Sequence, residues 1–202
     1  MSTKQSRLFG EDEEIKKIEK LNLKTAEDIA GIVVSLVDAW CKQIDIVGSI
    51  RRKKAEIHDI DLVVQTYEDE HNEHWKGLKD SMITMAGVKV ILNGDEIFRT
   101  LLPLEGGQWV QVDFYRAKPE TYGIHKLVRT GSAGHNIWLA KYAIKKGMRL
   151  QYSIGLVSAD KDITVGKTEE AVFEKLKLPF IKPEFREVVN GKPIWWDEYA
   201  GT

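Results

Sequence analysis

One cysteine in 202 residues leaves Cys41 without an internal disulfide partner, so no disulfide framework holds this chain together. It falls at the end of an amphipathic helical pattern, where a buried structural thiol is expected rather than a nucleophile. Long apolar runs are also missing. No stretch approaches the length of a membrane span, and Met1 to Lys20 is too polar and charged for a signal peptide, so an intracellular setting and no membrane partner are expected. The five histidines are dispersed. His71 and His74 lie close together but lack cysteines or a carboxylate at matching spacing, so both are read as surface residues and not as a zinc site. A positive balance is lacking as well, since the formal net charge is −1, and overall charge therefore offers no drive toward a polyanion.

What the chain does have is 43% hydrophobic residues, enough for one sizeable core or two small coupled subdomains. Its near-neutral balance conceals a segregation. From Arg116 to Gln151, the basic residues Arg116, Lys118, Lys126, Arg129, Lys141, Lys145, Lys146 and Arg149 face a single acid, Glu120. Glu11 to Asp28 instead holds seven acids against four lysines. A basic block of this kind acquires meaning when a phosphate-handling motif lies beside it.

Such a motif runs from Ile44 to Val64. Ile44 to Val47 reads as a strand, closed by Gly48-Ser49, where the backbone turns tightly and exposes N–H groups suited to an oxyanion. Arg51 and Arg52 follow at once, and a guanidinium fork offers paired donors to phosphate oxygens. Asp59-Ile60-Asp61 then opens a second apolar run, Leu62 to Val64. Side chains alternate across a strand, so Asp59 and Asp61 share one face. Two carboxylates at one spot repel each other unless a cation lies between them, and hard oxygen ligands beside phosphate suit magnesium. His58 precedes Asp59 directly and lies within reach of the same phosphates.

Gly48-Ser49-x-Arg51-Arg52 followed by Asp59-x-Asp61 resembles the active-site signature of the family X DNA polymerases, within the polymerase beta-like nucleotidyltransferase superfamily. The resemblance implies a third carboxylate on a later antiparallel strand. Strands are predicted at Gly87 to Leu92, Glu96 to Leu104 and Gln108 to Arg116, the last two joined by a Glu105-Gly106-Gly107 turn. Asp113, on the last of them, is where the third acid belongs. By the resemblance, Asp59 and Asp61 bind two magnesium ions, with manganese able to substitute. Asp113 completes the catalytic metal site and draws the proton from an attacking hydroxyl. Gly48, Ser49 and Arg52 hold the triphosphate, and Arg51 either joins them or braces the palm through an ion pair.

A later block narrows the superfamily to the family. Thr130-Gly131-Ser132, Asn136, Lys145-Lys146-Gly147 and Gly155-Leu156 resemble the family X thumb, in which the Gly-Ser turn lies against the incoming sugar and the next helix presents an asparagine to the minor-groove side of the base. Ser132 is expected to cap that helix and Gly147 to end it. Arg129, Lys141, Lys145 and Lys146 are the expected nucleic-acid contacts. Thr168 to Phe173 and Leu178 to Glu187 look like the closing segment of the bacterial and archaeal members, so the resemblance spans Thr25 to Glu187.

The departures set the expected limits. No lyase domain, helix-hairpin-helix subdomain or C-terminal phosphoesterase domain is expected, and no lyase or exonuclease activity. Val128-Arg129 stands where an aromatic pair is common, which leaves sugar selectivity open. Gln111 replaces a basic primer contact, and Ala133 and Ala140 replace side chains that touch base or template, so a weak template grip is expected, with an accessory DNA-binding protein as a candidate partner.

The fold expected is α/β (α+β): a nucleotidyltransferase palm of mixed or antiparallel sheet flanked by helices, plus a small thumb. Residues 1–24 are read as an arm or short helix, 25–117 as palm, 118–187 as thumb and 188–202 as a tail whose Trp195-Trp196 packs on the thumb. Within the palm, Thr25-Ala26-Glu27-Asp28 reads as a capping box before a helix with an apolar face of Ile29, Ile32, Val33, Leu36, Val37 and Trp40, and His74 to Met85 reads as a second helix. The expected function is that of a minimal, monomeric, cytoplasmic or nucleoid DNA polymerase. It adds a nucleotide from a nucleoside triphosphate to the 3′-hydroxyl of gapped or primed DNA. The alternatives are a template-independent or small-acceptor nucleotidyltransferase, acting on a nucleic-acid 3′ end or a protein, and an inactive nucleic-acid-binding module.

Overall fold

A computed structural model describes residues 20–158 and 164–199; most of the arm expected over residues 1–24 lies outside them. The chain enters through a short strand, β1 (Leu21–Asn22), and a helix, α1 (Leu23–Val37). The helix begins before the expected capping box: the Asn22 side chain, not Thr25, caps it, accepting a hydrogen bond from the Thr25 backbone N–H at 2.9 Å. Its buried face is Ala26, Ala30, Val33 and Val37, whereas Ile32 and Leu36 face outward. Alanine was the hidden part of the stripe, because its small side chains let α1 lie close on the sheet. Trp40 falls outside α1, in a single 3₁₀ turn, and its indole N–H donates to Ser81 Oγ at 2.8 Å.

Next come β2 (Cys41–Ile46), a one-turn helix α2 (Gly48–Arg51), β3 (Glu56–Ile57), β4 (Asp59–Thr66), α3 (Glu73–Ile83), β5 (Lys89–Asn93), β6 (Ile97–Pro103) and β7 (Trp109–Arg116). The fold is α/β with a mixed five-stranded sheet, in the order β2-β4-β7-β6-β5. β4 and β7 run parallel at its centre, and every other neighbouring pair is antiparallel. The strand carrying Asp113 is thus antiparallel to β6, in keeping with the expected later antiparallel strand, and parallel to β4, which carries the first two acids. The return from β4 to β7 through α3 and the β5–β6 hairpin is long enough to bring β7 back in the same direction. One sheet face packs on α1 and α3 through Ile60, Leu62, Val64, Phe98, Val112 and Phe114, all fully buried. The thiol of Cys41 is buried, donates to the Val37 carbonyl at 3.3 Å and is pushed up to about 12 by burial, as suits a structural residue.

The second body contains α4 (Tyr122–Thr130), α5 (Ala133–Lys145), β8 (Met148–Gln151), β9 (Gly155–Ser158), β10 (Thr164–Val165), α6 (Glu169–Lys175), β11 (Val188–Val189), β12 (Lys192–Pro193) and α7 (Trp196–Tyr199). Its core gathers Ile124, Leu127, Leu139, Val172, Phe173, Leu176 and Ile181. The tail is part of this core: Trp195 is buried in it, and Trp196 packs edge-on against Trp138 and Tyr142. The two bodies meet at α4. There the Tyr122 hydroxyl donates to Asp45 Oδ2 at 2.9 Å and Lys126 Nζ lies 2.8 Å from Asp45 Oδ1. No helix among the described residues is long and apolar enough to cross a membrane.

Candidate active site

The face of the sheet centre turned away from α1 and α3 carries the acids. Asp59 and Asp61 open β4, and Asp61 is the register partner of Asp113 on β7, so all three lie on one face. Gly48 is held beside them: its φ is +62°, and a Cβ there would lie 2.1 Å from Asp61 Oδ2. Only glycine lets the backbone pass so close to that carboxylate. Burial, reinforced by the charges of Asp59 and Asp113, pushes the Asp61 carboxyl up to about 7. Asp59 is raised by burial and by Asp113.

Two residues that sequence reasoning did not single out complete this face. Arg99, register partner of Asp113 on β6, grips it with both edges of the fork: Nε lies 2.7 Å from Oδ1 and Nη2 2.6 Å from Oδ2. The Tyr115 hydroxyl stands between the acids, 2.9 Å from Asp113 Oδ2 and 3.2 Å from Asp61 Oδ1, and donates its single proton to either. Arg129 lies over the Tyr115 ring, 3.8 Å from its centroid. It therefore lies beside the acidic face. No three His, Cys, Asp or Glu side chains among the described residues converge on a common point as metal ligands. The chemistry of the set nevertheless fits a hard divalent cation, since adjacent carboxylates drawn out of water onto one face are what such an ion relieves.

Opposite the acids lies a cationic half. Arg52 donates through Nη1 to the Thr130 carbonyl and through Nε to Glu187 Oε1 at 3.1 Å, and Lys54 Nζ lies 2.7 Å from the same oxygen. Gly131, at φ +74°, makes room: a Cβ there would meet Arg52 Nη1 at 3.0 Å. The Gly131–Ser132 peptide is cis. Ser132 caps α5, accepting from the His135 N–H at 3.3 Å. Ser49 Oγ is buried with no hydrogen-bond partner among the described residues. Gly48, Ser49, Arg52, Gly131 and Ser132 are thus drawn from both bodies into one place. His58 is exposed, with its charge acting on Asp59.

Arg51 does the bracing. Nη1 and Nη2 hold Glu169 at 3.0 and 2.6 Å, Nη1 also reaches Thr130 Oγ1 at 2.7 Å, and the fully buried Arg186 adds Nη1 to Glu169 Oε1 at 2.6 Å. Burial opposes the Glu169 charge, but the two guanidiniums hold its carboxyl below the usual range. Asn136 is turned inward, its Nδ2 donating to the Val128 carbonyl at 2.8 Å while its Oδ1 is buried without a partner. Lys141, Lys145 and Lys146 are exposed along α5 and its C-terminus, apart from the acids.

Comparison with known proteins follows this geometry. Residues 126–187 match the family described as DNA polymerase beta thumb. Among solved structures, the polymerase beta of Leishmania infantum, determined as a ternary P/T complex, is similar with a TM-score of 0.72 and 19% sequence identity, over 84% of this chain and 77% of that one. A search of curated proteins finds no match. The resemblance to the family X polymerases therefore holds in two independent respects, a polymerase beta-type thumb and a polymerase beta-like fold.

Proposed function

We propose that this family X-like chain is a nucleotidyltransferase, a DNA polymerase that extends a 3′-hydroxyl with a nucleotide at gaps or primed ends. The observation that carries the reading is the placing of Asp59, Asp61 and Asp113 on one sheet face opposite Arg52 and the Gly131-Ser132 turn. In the reaction, the hydroxyl oxygen bonds to the α-phosphorus, the bond to the bridging oxygen of the β-phosphate breaks, and pyrophosphate leaves with that electron pair. Divalent cations held by the three carboxylates would lower the pKa of the attacking hydroxyl and offset the charge of the leaving group. Asp113 is the acceptor for the hydroxyl proton. Arg52 and the Ser49 hydroxyl meet the triphosphate, Arg52 leaving Glu187 to do so. Magnesium is the ion expected from the oxygen-only donor set, with manganese as substitute.

The test is primer extension on a one-nucleotide-gapped duplex against the bare primer strand, with deoxy- and ribonucleotides, with magnesium and with chelator. Template-directed extension of the gapped duplex is expected. Asp113→Asn removes it while nucleotide binding, followed with a fluorescent triphosphate, persists; extension retained in that variant overturns the assignment. One observation favours a second reading. The Asn136 amide, which by the resemblance a family X thumb offers to the base, is committed to the Val128 carbonyl, and an enzyme that adds nucleotides without reading a template has no need of that contact. Untemplated extension of the bare strand would establish that reading instead.

A further inference from the structure

The three carboxylates differ in what already occupies them. Asp61 has one protein donor, the shared Tyr115 hydroxyl. Asp113 has four, with Arg99 Nε on Oδ1 and Arg99 Nη2, Tyr115 Oη and Gln111 Nε2 on Oδ2, the last at 3.3 Å. A carboxylate so engaged is compensated in charge, and its Oδ2 is crowded by donors while Oδ1 is held by Arg99 Nε. Exposure divides the pair unequally: the Asp113 side chain is 2% exposed and that of Arg99 34%, so the guanidinium is the part of the pair that solvent and ligands meet. The Glu105–Gly107 turn sets the hairpin register that places them face to face.

We propose that Arg99 is a positioning residue for the transfer site, one that keeps Asp113 from a divalent cation until the phosphodiester of an acceptor strand takes its guanidinium. The proposal rests on the reading of Asp59, Asp61 and Asp113 as metal ligands. Its chemistry is an exchange of partners. Arginine's fork fits a phosphate as well as a carboxylate, and a nucleic-acid acceptor carries a phosphodiester within one nucleotide of its attacking hydroxyl. When the guanidinium moves to that phosphate, the cation takes its place on Asp113, and each charge remains paired. Acceptor and cation consequently bind with positive cooperativity, and by linkage each strengthens the other equally.

The experiment titrates Mn²⁺ without nucleotide, following the free ion by electron paramagnetic resonance. A gapped duplex whose primer ends in a dideoxynucleotide is present or absent, and binding to the duplex alone is subtracted. The wild type is expected to bind Mn²⁺ about tenfold more tightly with the duplex than without, within the common range of coupling between sites. Arg99→Gln binds tightly without the duplex and gains little from it, while Arg99→Lys, which keeps the charge but not the fork, falls between the two. Arg99→Gln no tighter than the wild type, in a protein that still unfolds cooperatively, overturns the proposal. So does a duplex effect of equal size in both proteins. Should Arg99→Gln not fold, a wild type indifferent to the duplex is sufficient to overturn it. Asp61→Asn separates this from the underlying reading: Mn²⁺ binding that it leaves intact sinks the metal-ligand assignment, whereas binding that it abolishes but Arg99→Gln does not alter sinks the role of Arg99 alone.

Discussion

Asp61 is the least comfortable residue in the unliganded protein. Its carboxyl ordinarily ionises near 3.8 and is here pushed up to about 7, so between those values the folded state holds more proton than the unfolded one. Stability therefore falls as pH rises through that window. Asp61→Asn keeps the shape and still accepts from Tyr115, but removes the charge. Without divalent cations, it should melt a few degrees above the wild type at pH 8, at about 2–4 °C per kcal/mol for a chain of this size, and close to it at pH 4. Equal melting temperatures at both pH values would show that burial and the neighbouring carboxylates do not raise Asp61 as described. Residues of this kind were legible in the sequence because the spacing of Asp59 and Asp61 alone sets their shared face. Glu169 and Glu187 were not legible as partners of Arg51 and Arg52, since nothing local marks a residue whose role is to meet a side chain more than a hundred positions earlier.

Among the elements, the sheet strands and α5 follow the sequence closely, because alternation and the Ser132 cap are local signals. The α1 face did not, because counting large apolar residues overlooks alanine where a helix packs close. Arg99 was within reach of inference: the turn centred on Gly106 leaves residues 99 and 113 equally distant and hence paired. The start of α4 was not. Gly123 donates its N–H to the Lys167 carbonyl at 3.1 Å, and a Cβ there would fall 2.3 Å from the Thr168 Cα and carbonyl carbon, a contact with backbone that cannot move aside. Gly123→Ala should accordingly cost about 1–3 kcal/mol by overpacking, against the usual helical preference for alanine. In α1, an alanine at Gly31 meets nothing within 4 Å, and Gly31→Ala should stabilise by about 0.5–1 kcal/mol. Urea denaturation of both reads the two signs, and a stabilising Gly123→Ala would contradict the packing of α4 on the 166–168 segment.

At the scale of the whole molecule, the two bodies are joined by charge as well as by the apolar cluster of Val47, Val63, Tyr115, Ala117 and Tyr122. Glu169, 3% exposed, sits between Arg51 of the sheet body and Arg186 of the second body, while Arg52 and Lys54 share Glu187. A buried carboxylate between two guanidiniums adds little over apolar packing while intact, yet removing it leaves two cations without their partner, and such losses run to about 3–5 kcal/mol. Glu169→Gln should show that cost at neutral pH. Because the folded-state carboxyl titrates below its ordinary value, the stability it contributes is complete above about pH 4.5 and is lost as pH falls through the folded value, so variant and wild type should converge in acid. The loss should also be visible as uncoupling. The indole cluster of Trp138, Trp195 and Trp196 belongs to the second body, whereas Trp40, Trp75 and Trp109 belong to the sheet body, so in protein carrying fluorotryptophan the two sets of resonances read the bodies separately. In the wild type the two sets should change together in urea; in Glu169→Gln those of the second body should change first. Coincident transitions in the variant would mean that α4 and its Asp45 contacts couple the bodies without help from Glu169, and that the arginines beside the phosphate motif can be released to a ligand without loosening the fold.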